Sequence, residues 1–275
     1  MSAPSSPRLQ HQIRQIPRYG LLALLVLSLF ACANSIVGSG YNPTTVAADF
    51  DEALYTQSEI KNVVITSINL GARSRNYLEK EAGQIDARIT EYMRGNGFNV
   101  LPSREFSQRW NNAVLTYGNP MDPTTGRINM KTFVQLMQTV RDQMRDQTEV
   151  DAFVFTDLIE LDVNFQQGVN RIVRFDGVTR KPALQGAGSG VNADFDWGRP
   201  VTAASIQISI YNIDLQKVFL GRGGIELTEA VDTRSGSNFV RRRDIMNNEG
   251  FIDEGIALAM HPIIPMAKWP GTEAQ

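Results

Sequence analysis

The sequence predicts one α/β domain built on a mixed sheet, and three observations carry that expectation. A β-branched run at 62–68 leads into a helical pattern at 76–94 and a short apolar run at 98–101, a strand-helix-strand opening. Two more helical patterns follow, at 103–115 and 129–144. Apolar and polar residues then alternate at 152–165 and 203–213, which implies an antiparallel meander, and an apolar helix at 251–260 closes the domain.

Each element has its own warrant. A short helix is expected around 47–55, ahead of the strand at 62–68. In the helix that follows, Leu78, Ala82, Ile85, Ile89 and Tyr92/Met93 recur at alternating spacings of four and three. Asn76 and Glu79 form a capping pair in sequence, and Gly95 and Gly97 supply the stop. After the helix at 103–115, the Pro- and Gly-containing stretch 119–126 is a loop. Asn129 caps the next helix, which sets Met130, Phe133, Val134, Met137, Val140 and Met144 along one face. A methionine stripe at this spacing is expected to be core, because methionine fills irregular gaps.

On the strand at 152–165, Phe153, Phe155, Ile159, Leu161, Val163 and Phe165 share one face, with Glu160, Asp162 and Asn164 on the other. Residues 171–178 are expected to be its hairpin partner, and 181–200 a Gly-rich loop. Ile206, Ile208 and Ile210 point inward on the next strand, which turns at 214–217 into 218–220. Residues 225–228 are a candidate continuation past Gly221, Gly223 and Gly224. The last helix ends at Pro262.

Composition excludes several function classes. There are 27 basic and 29 acidic residues, a formal charge of -2, two His and one Cys. One Cys makes no internal disulfide, and two His with one Cys make no zinc site of those ligands. Without a basic surplus, counterion release does not favour a nucleic-acid partner. No cofactor is expected.

The N-terminal stretch reads as a targeting segment. Arg8, Arg14 and Arg18 occur without any acidic residue before the apolar run 21–31, which is well short of the roughly 20 residues that span a bilayer core of about 30 Å. The run ends in Leu29, Phe30, Ala31 and Cys32, and here it resembles a bacterial lipoprotein signal. That resemblance implies cleavage between Ala31 and Cys32 and acylation of Cys32. Position 33 is Ala rather than the Asp that retains many lipoproteins at the inner membrane, so the resemblance implies the periplasmic face of the outer membrane of a Gram-negative bacterium. Residues 1–31 are then the signal peptide, 32–45 a flexible tether and 46–275 the α/β periplasmic domain. The Ser-, Asn-, Gly- and Pro-containing tether reaches only about 20 Å, which holds the domain close to its membrane.

Candidate chemistry is sparse. With the signal removed, His261 is the only histidine, at the end of an apolar helix and without a Gly-x-Ser-x-Gly elbow. The acidic pairs Glu160/Asp162 and Glu226/Glu229 suit paired-carboxylate chemistry by separation, yet half-exposed strands commonly carry such pairs. Glycines at 186–190 and 221–224 resemble phosphate loops by count alone and are expected to be mobile loops. Asn192, Asp194 and Asp196 alternate like calcium-loop ligands but lack the Gly and Glu of that loop. Arg241, Arg242 and Arg243 form the one basic cluster and are expected to be a solvated segment.

The order of elements spans 60–262. Its phrases are the strand at 63–68, the helix into Gly95-Asn-Gly-Phe-Asn-Val-Leu101, the stretch 150–154, and 208–214 turning into Val218. In these it resembles the CsgG/LpoB-like group of periplasmic lipoproteins. The tether is too short to reach far through a cell wall, and no pair of long aromatic-girdled hairpins is present to form a pore. The expected function is therefore a lipid-anchored, non-enzymatic binding or adaptor protein whose partner is another envelope protein. Self-association is a further reading. The alternative is a cell-wall or polysaccharide-acting enzyme using Asp/Glu chemistry, with Asp194, Asp196 and Trp197 as a sugar-stacking loop.

Overall fold

A computed structural model describes residues 48–66, 76–122, 124, 127–166, 171–188, 190–234 and 238–270. The signal, Cys32, the tether, Ile68 and the side chains of Asn76 and Glu79 lie outside them. The elements in chain order are β1 (Asp49–Phe50), α1 (Glu52–Ser58), β2 (Asn62–Ile65), α2 (Asn76–Gly95), β3 (Asn99–Leu101), α3 (Ser103–Tyr117), α4 (Met130–Gln147) and β4 (Ala152–Val163). They continue with β5 (Val173–Phe175), β6 (Val178–Arg180), β7 (Ala183–Gln185), β8 (Val201–Asn212), β9 (Lys217–Leu227), β10 (Glu229–Asp232), β11 (Phe239–Arg241) and α5 (Glu249–Met260).

A six-stranded sheet in the order β1-β9-β8-β4-β2-β3 forms the centre, parallel at β3-β2-β4 and antiparallel at β4-β8-β9-β1. The chain is a single mixed α/β domain with the predicted strand-helix-strand start, antiparallel meander and closing helix. Helices α2 and α5 cover one face. There Val63, Ile65, Val154, Ile206, Ile208 and Ile210 pack against Ile85, Ile89 and Ile256. Each such side chain contributes about 1.5–3 kcal/mol when withdrawn from water. Helices α3 and α4 lie on the other face, over Val64 and Phe153. Asn129 caps α4 as expected, its Oδ1 accepting from the N–H groups of Lys131 and Thr132. Among the described residues no helix is long and apolar enough to cross a membrane.

Three expectations need correction. Residues 171–178 are not the main partner of β4, which pairs along its full length with β8. They instead fold on themselves as the β5–β6 hairpin, which meets the chain just past β4 through the bridge Phe165↔Val173. The reason is local: Asp176 and Gly177 both have positive φ (41° and 87°), the two-residue turn that returns a strand at once. Second, the stretch 181–200 contains β7, parallel to β10.

Third, Gly221 to Gly224 is no mobile loop but the middle of β9. A Cβ on Gly221 would collide with the carbonyl oxygen of Ala259, and one on Gly223 with that of Gly255. These glycines let the α5 backbone lie directly on the strand, which is why so apolar a helix closes the domain. Gly188 is likewise packed, its absent Cβ replaced by the Thr233 carbonyl. The methionine stripe also divides. Met137, Val140 and Met144 are buried, whereas Met130 and Val134 are 60% and 44% exposed.

Candidate functional site

Helices α3 and α4 cover the β3-β2-β4 half of their face and leave β8, β9 and β1 open between Gln207 and Tyr211, while farther along β8 Val201, Ala203 and Ser205 are buried. Strands lie about 4.8 Å apart, so roughly 14 Å of sheet is left, a little more than the diameter of one helix. The edge of α4 and this bare strip enclose a groove of about 540 Å³. Met130, Phe133 and Val134 form its helical wall, and Phe155, Ser209 and Leu220 one row of its floor. Those three floor residues are in register across β4, β8 and β9, so the alternation of the strands turns them to one side. Tyr211 meets Phe155 edge-on at 5.5 Å.

The groove becomes polar along the sheet. The next row is Asp157, Gln207 and Arg222, with Arg222 Nη2 donating to Gln207 Oε1 at 3.2 Å. At the β8–β9 turn, Arg145 on α4 holds Asp214 at 2.5 Å and fixes the helix against the turn. An apolar trough with a polar margin suits an amphipathic guest. Its sequence signal was the position of Met130 and Val134 at the margin of a stripe that continues as Gln138 and Arg141. A purely buried face has no reason to turn polar there.

The candidate loop has a different arrangement from a sugar platform. Asp194 and Asp196 are exposed, and Asp196 Oδ1 accepts from the Gly198 N–H at 2.9 Å, a turn that aspartate favours. Trp197 is half-buried among Phe195 (centroids 4.5 Å) and Phe165 (5.0 Å), and the Arg171 guanidinium lies 4.4 Å from its ring centroid. The cation occupies the ring face that a sugar would need.

Three of the four paired carboxylates are engaged in holding the fold. Glu226 is buried, ion-paired with Arg242 and accepting from the Met246 N–H. Glu229 accepts from the Thr202 N–H at 2.9 Å, and Glu160 lies 3.8 Å from Arg241. Asp162 is exposed at the end of β4. Of the three arginines at 241–243, Arg242 is bound to the sheet, while Arg241 is half exposed beside Glu160. Among the described residues no group of three or more His, Cys, Asp and Glu side chains is placed to hold a metal ion.

His261 ends α5 as expected, its Nδ1 accepting from the Met266 N–H at 3.2 Å and its ring stacked on Trp269 at 4.6 Å. Burial pushes the imidazole below its ordinary 6.5. The unfolded chain therefore takes up the proton first as pH falls, so stability is complete above about 6.5 and declines below it. Thermal melts should show Tm dropping between pH 7 and pH 5, and His261→Asn, which keeps an acceptor for Met266, should remove that part of the drop. An unchanged pH slope in the variant would show that His261 does not contribute. No protein-family model, curated protein or solved structure matches this chain.

Proposed function

We propose that this protein is a lipoprotein anchored through Cys32 to the periplasmic face of the outer membrane, where its α/β domain binds another envelope protein without catalysing a reaction. The groove between α4 and the bare strip of sheet is the observation that carries the reading. Exposed Met130 and Val134 beside Phe155 and Leu220 offer the kind of apolar core, rimmed by polar groups, around which protein contacts form. The width of the strip suits one helix of a partner. Engagement of Glu226, Glu229 and Trp197 in the fold weighs against the carboxylate enzyme.

Two linked measurements test the proposal in a Gram-negative host. A clickable fatty acid should label the wild type and not Cys32→Ala. A photo-crosslinking residue at Val134 should then give one discrete adduct with an envelope protein in the lipidated form. The same crosslinker at Leu115, which is 86% exposed and outside the groove, serves as the control. Labelling that survives Cys32→Ala would remove the anchor, and identical adducts from positions 115 and 134 would remove the groove.

A further inference from the structure

The tip of the β5–β6 hairpin carries a buried acid. β1 covers β9 only at Phe219 and Leu220, and farther along, the hairpin takes over the same edge. The Asp176 carbonyl accepts from the Gly224 N–H at 2.8 Å, and Arg180 Nε donates to the Ile225 carbonyl at 2.6 Å. Gly177 is pressed on Leu258 of α5, where a Cβ would come within 2.8 Å of a methyl group. Phe175 and Val178 flank Gly224 so closely that it has no room for a side chain.

In this dry corner the Asp176 side chain is poorly served. The residue is 5% exposed, its Oδ2 and Arg222 Nε lack a hydrogen-bond partner, and the Ser205 hydroxyl is the one neutral donor beside it. The nearest cation is Arg222, whose Nε lies 4.0 Å from Oδ2 while its Nη2 is spent on Gln207. The packed elements also carry Arg174 and Arg180 on the hairpin, Asp157, Glu160 and Asp162 on β4, Lys217 and Glu226 on β9, and Glu249, Asp253 and Glu254 on α5. Arg180 and Glu254 pair with each other at 2.7 Å. Burial raises the carboxyl above its ordinary 3.8, with Ser205 and Arg222 opposing the rise. A neutral carboxyl suits the site, and an ionised one is left with the Ser205 hydroxyl and a single cation 4.0 Å away.

We propose that the β5–β6 hairpin is a proton-gated cover of the β9 edge, seated while Asp176 is protonated and loosened once it ionises. Opening frees the Gly224 N–H and the Ile225 carbonyl, the two edge groups that the hairpin occupies, and exposes the sheet next to the polar margin of the groove. The direction follows from linkage. The seated hairpin binds the proton more tightly than the open one, so seating is complete in acid. It weakens as pH rises from about 4, by up to tenfold per pH unit, and levels off once the seated carboxyl also ionises.

Hydrogen exchange of the Gly224 amide between pH 4 and 9, divided by its intrinsic rate, reads the gate. In the wild type its protection factor should fall by up to tenfold per pH unit and then level off, while that of Val140 in α4 does not fall as pH rises. In Asp176→Asn, which tolerates the same positive φ, protection at Gly224 should be independent of pH. A level profile in the wild type would overturn the proposal, as would an Asp176→Asn profile that still falls. Should the variant fail to fold, the Asp176 carboxyl carbon shift of the wild type serves as the second readout. It must titrate above 3.8 and over the range in which Gly224 loses protection, and a mismatch overturns the gate.

Discussion

Gly223→Ala should cost about 3 kcal/mol or more of stability and lower Tm by roughly 10 °C, since about 1 kcal/mol moves a domain of this size by about 2–4 °C. An extra methylene forced into a packed core costs about 1–3 kcal/mol where neighbouring side chains can give way. Here the obstacle is the backbone carbonyl oxygen of Gly255, which cannot move without shifting α5 off the sheet. That shift would in turn loosen Ile252, Ile256 and Met260, all of which are buried beneath the helix. The comparison is Gly83→Ala in α2, where a Cβ meets nothing within 4 Å. This variant should gain up to about 1 kcal/mol from helix propensity. Thermal melts of the two variants beside the wild type decide the matter. Similar Tm values would show that α5 does not rest on the glycines of β9.

Arg242→Ala should be the most damaging change of a charged residue, costing about 3–5 kcal/mol, the range for removing one partner of a buried pair. Arg242 reaches Glu226 with one nitrogen, which also donates to the Leu227 carbonyl at 2.9 Å, and the Asp244 carbonyl with another at 2.7 Å. The Glu226 side chain is 3% exposed, so the truncation strands a carboxylate far from water. Two consequences distinguish this from lost packing. The deficit in urea unfolding should shrink on acidification, as the stranded carboxylate takes a proton. Adding Glu226→Gln should restore part of the loss, because the amide oxygen still accepts from the Met246 N–H. A deficit equal at every pH, with no recovery in the double variant, would show that Glu226 was never the stranded group.

How much of this was legible in the chain depends on how local the cause is. Helix α4 was legible to its cap, because Asn129 bonds to N–H groups two and three residues on and the 3.6-residue period shows in one stretch. The core row Ile206, Ile208 and Ile210 was legible too, because alternation is set by the strand's own geometry. Strand β1 was missed: two residues are too few to show a period, and they pair with β9 some 170 positions away. The hairpin at 173–180 was placed on the wrong partner although Asp176-Gly177 was a readable turn signal. Alternation says that a strand pairs but not with which strand.

Residues at the sites divide in the same way. The reading of the segment around Cys32 rests on consecutive residues that lie outside those described, whereas Asp194, Asp196 and Trp197 are close in sequence yet do not converge. Arg171, twenty-six positions from Trp197, takes the ring face. The groove showed in the sequence only as the polar margin of the α4 stripe, because it is defined by what fails to cover β8 and β9, and a sequence displays helices rather than the gap beside them. By itself the sequence determined the α/β class, the main helices and the inward row of β8, all of which follow from period and capping within one segment. Only the tertiary structure decided which strands are neighbours, why β9 has glycines and where Asp176 is buried. Those features depend on contacts between segments far apart in the chain, and burial rather than local propensity sets their energies.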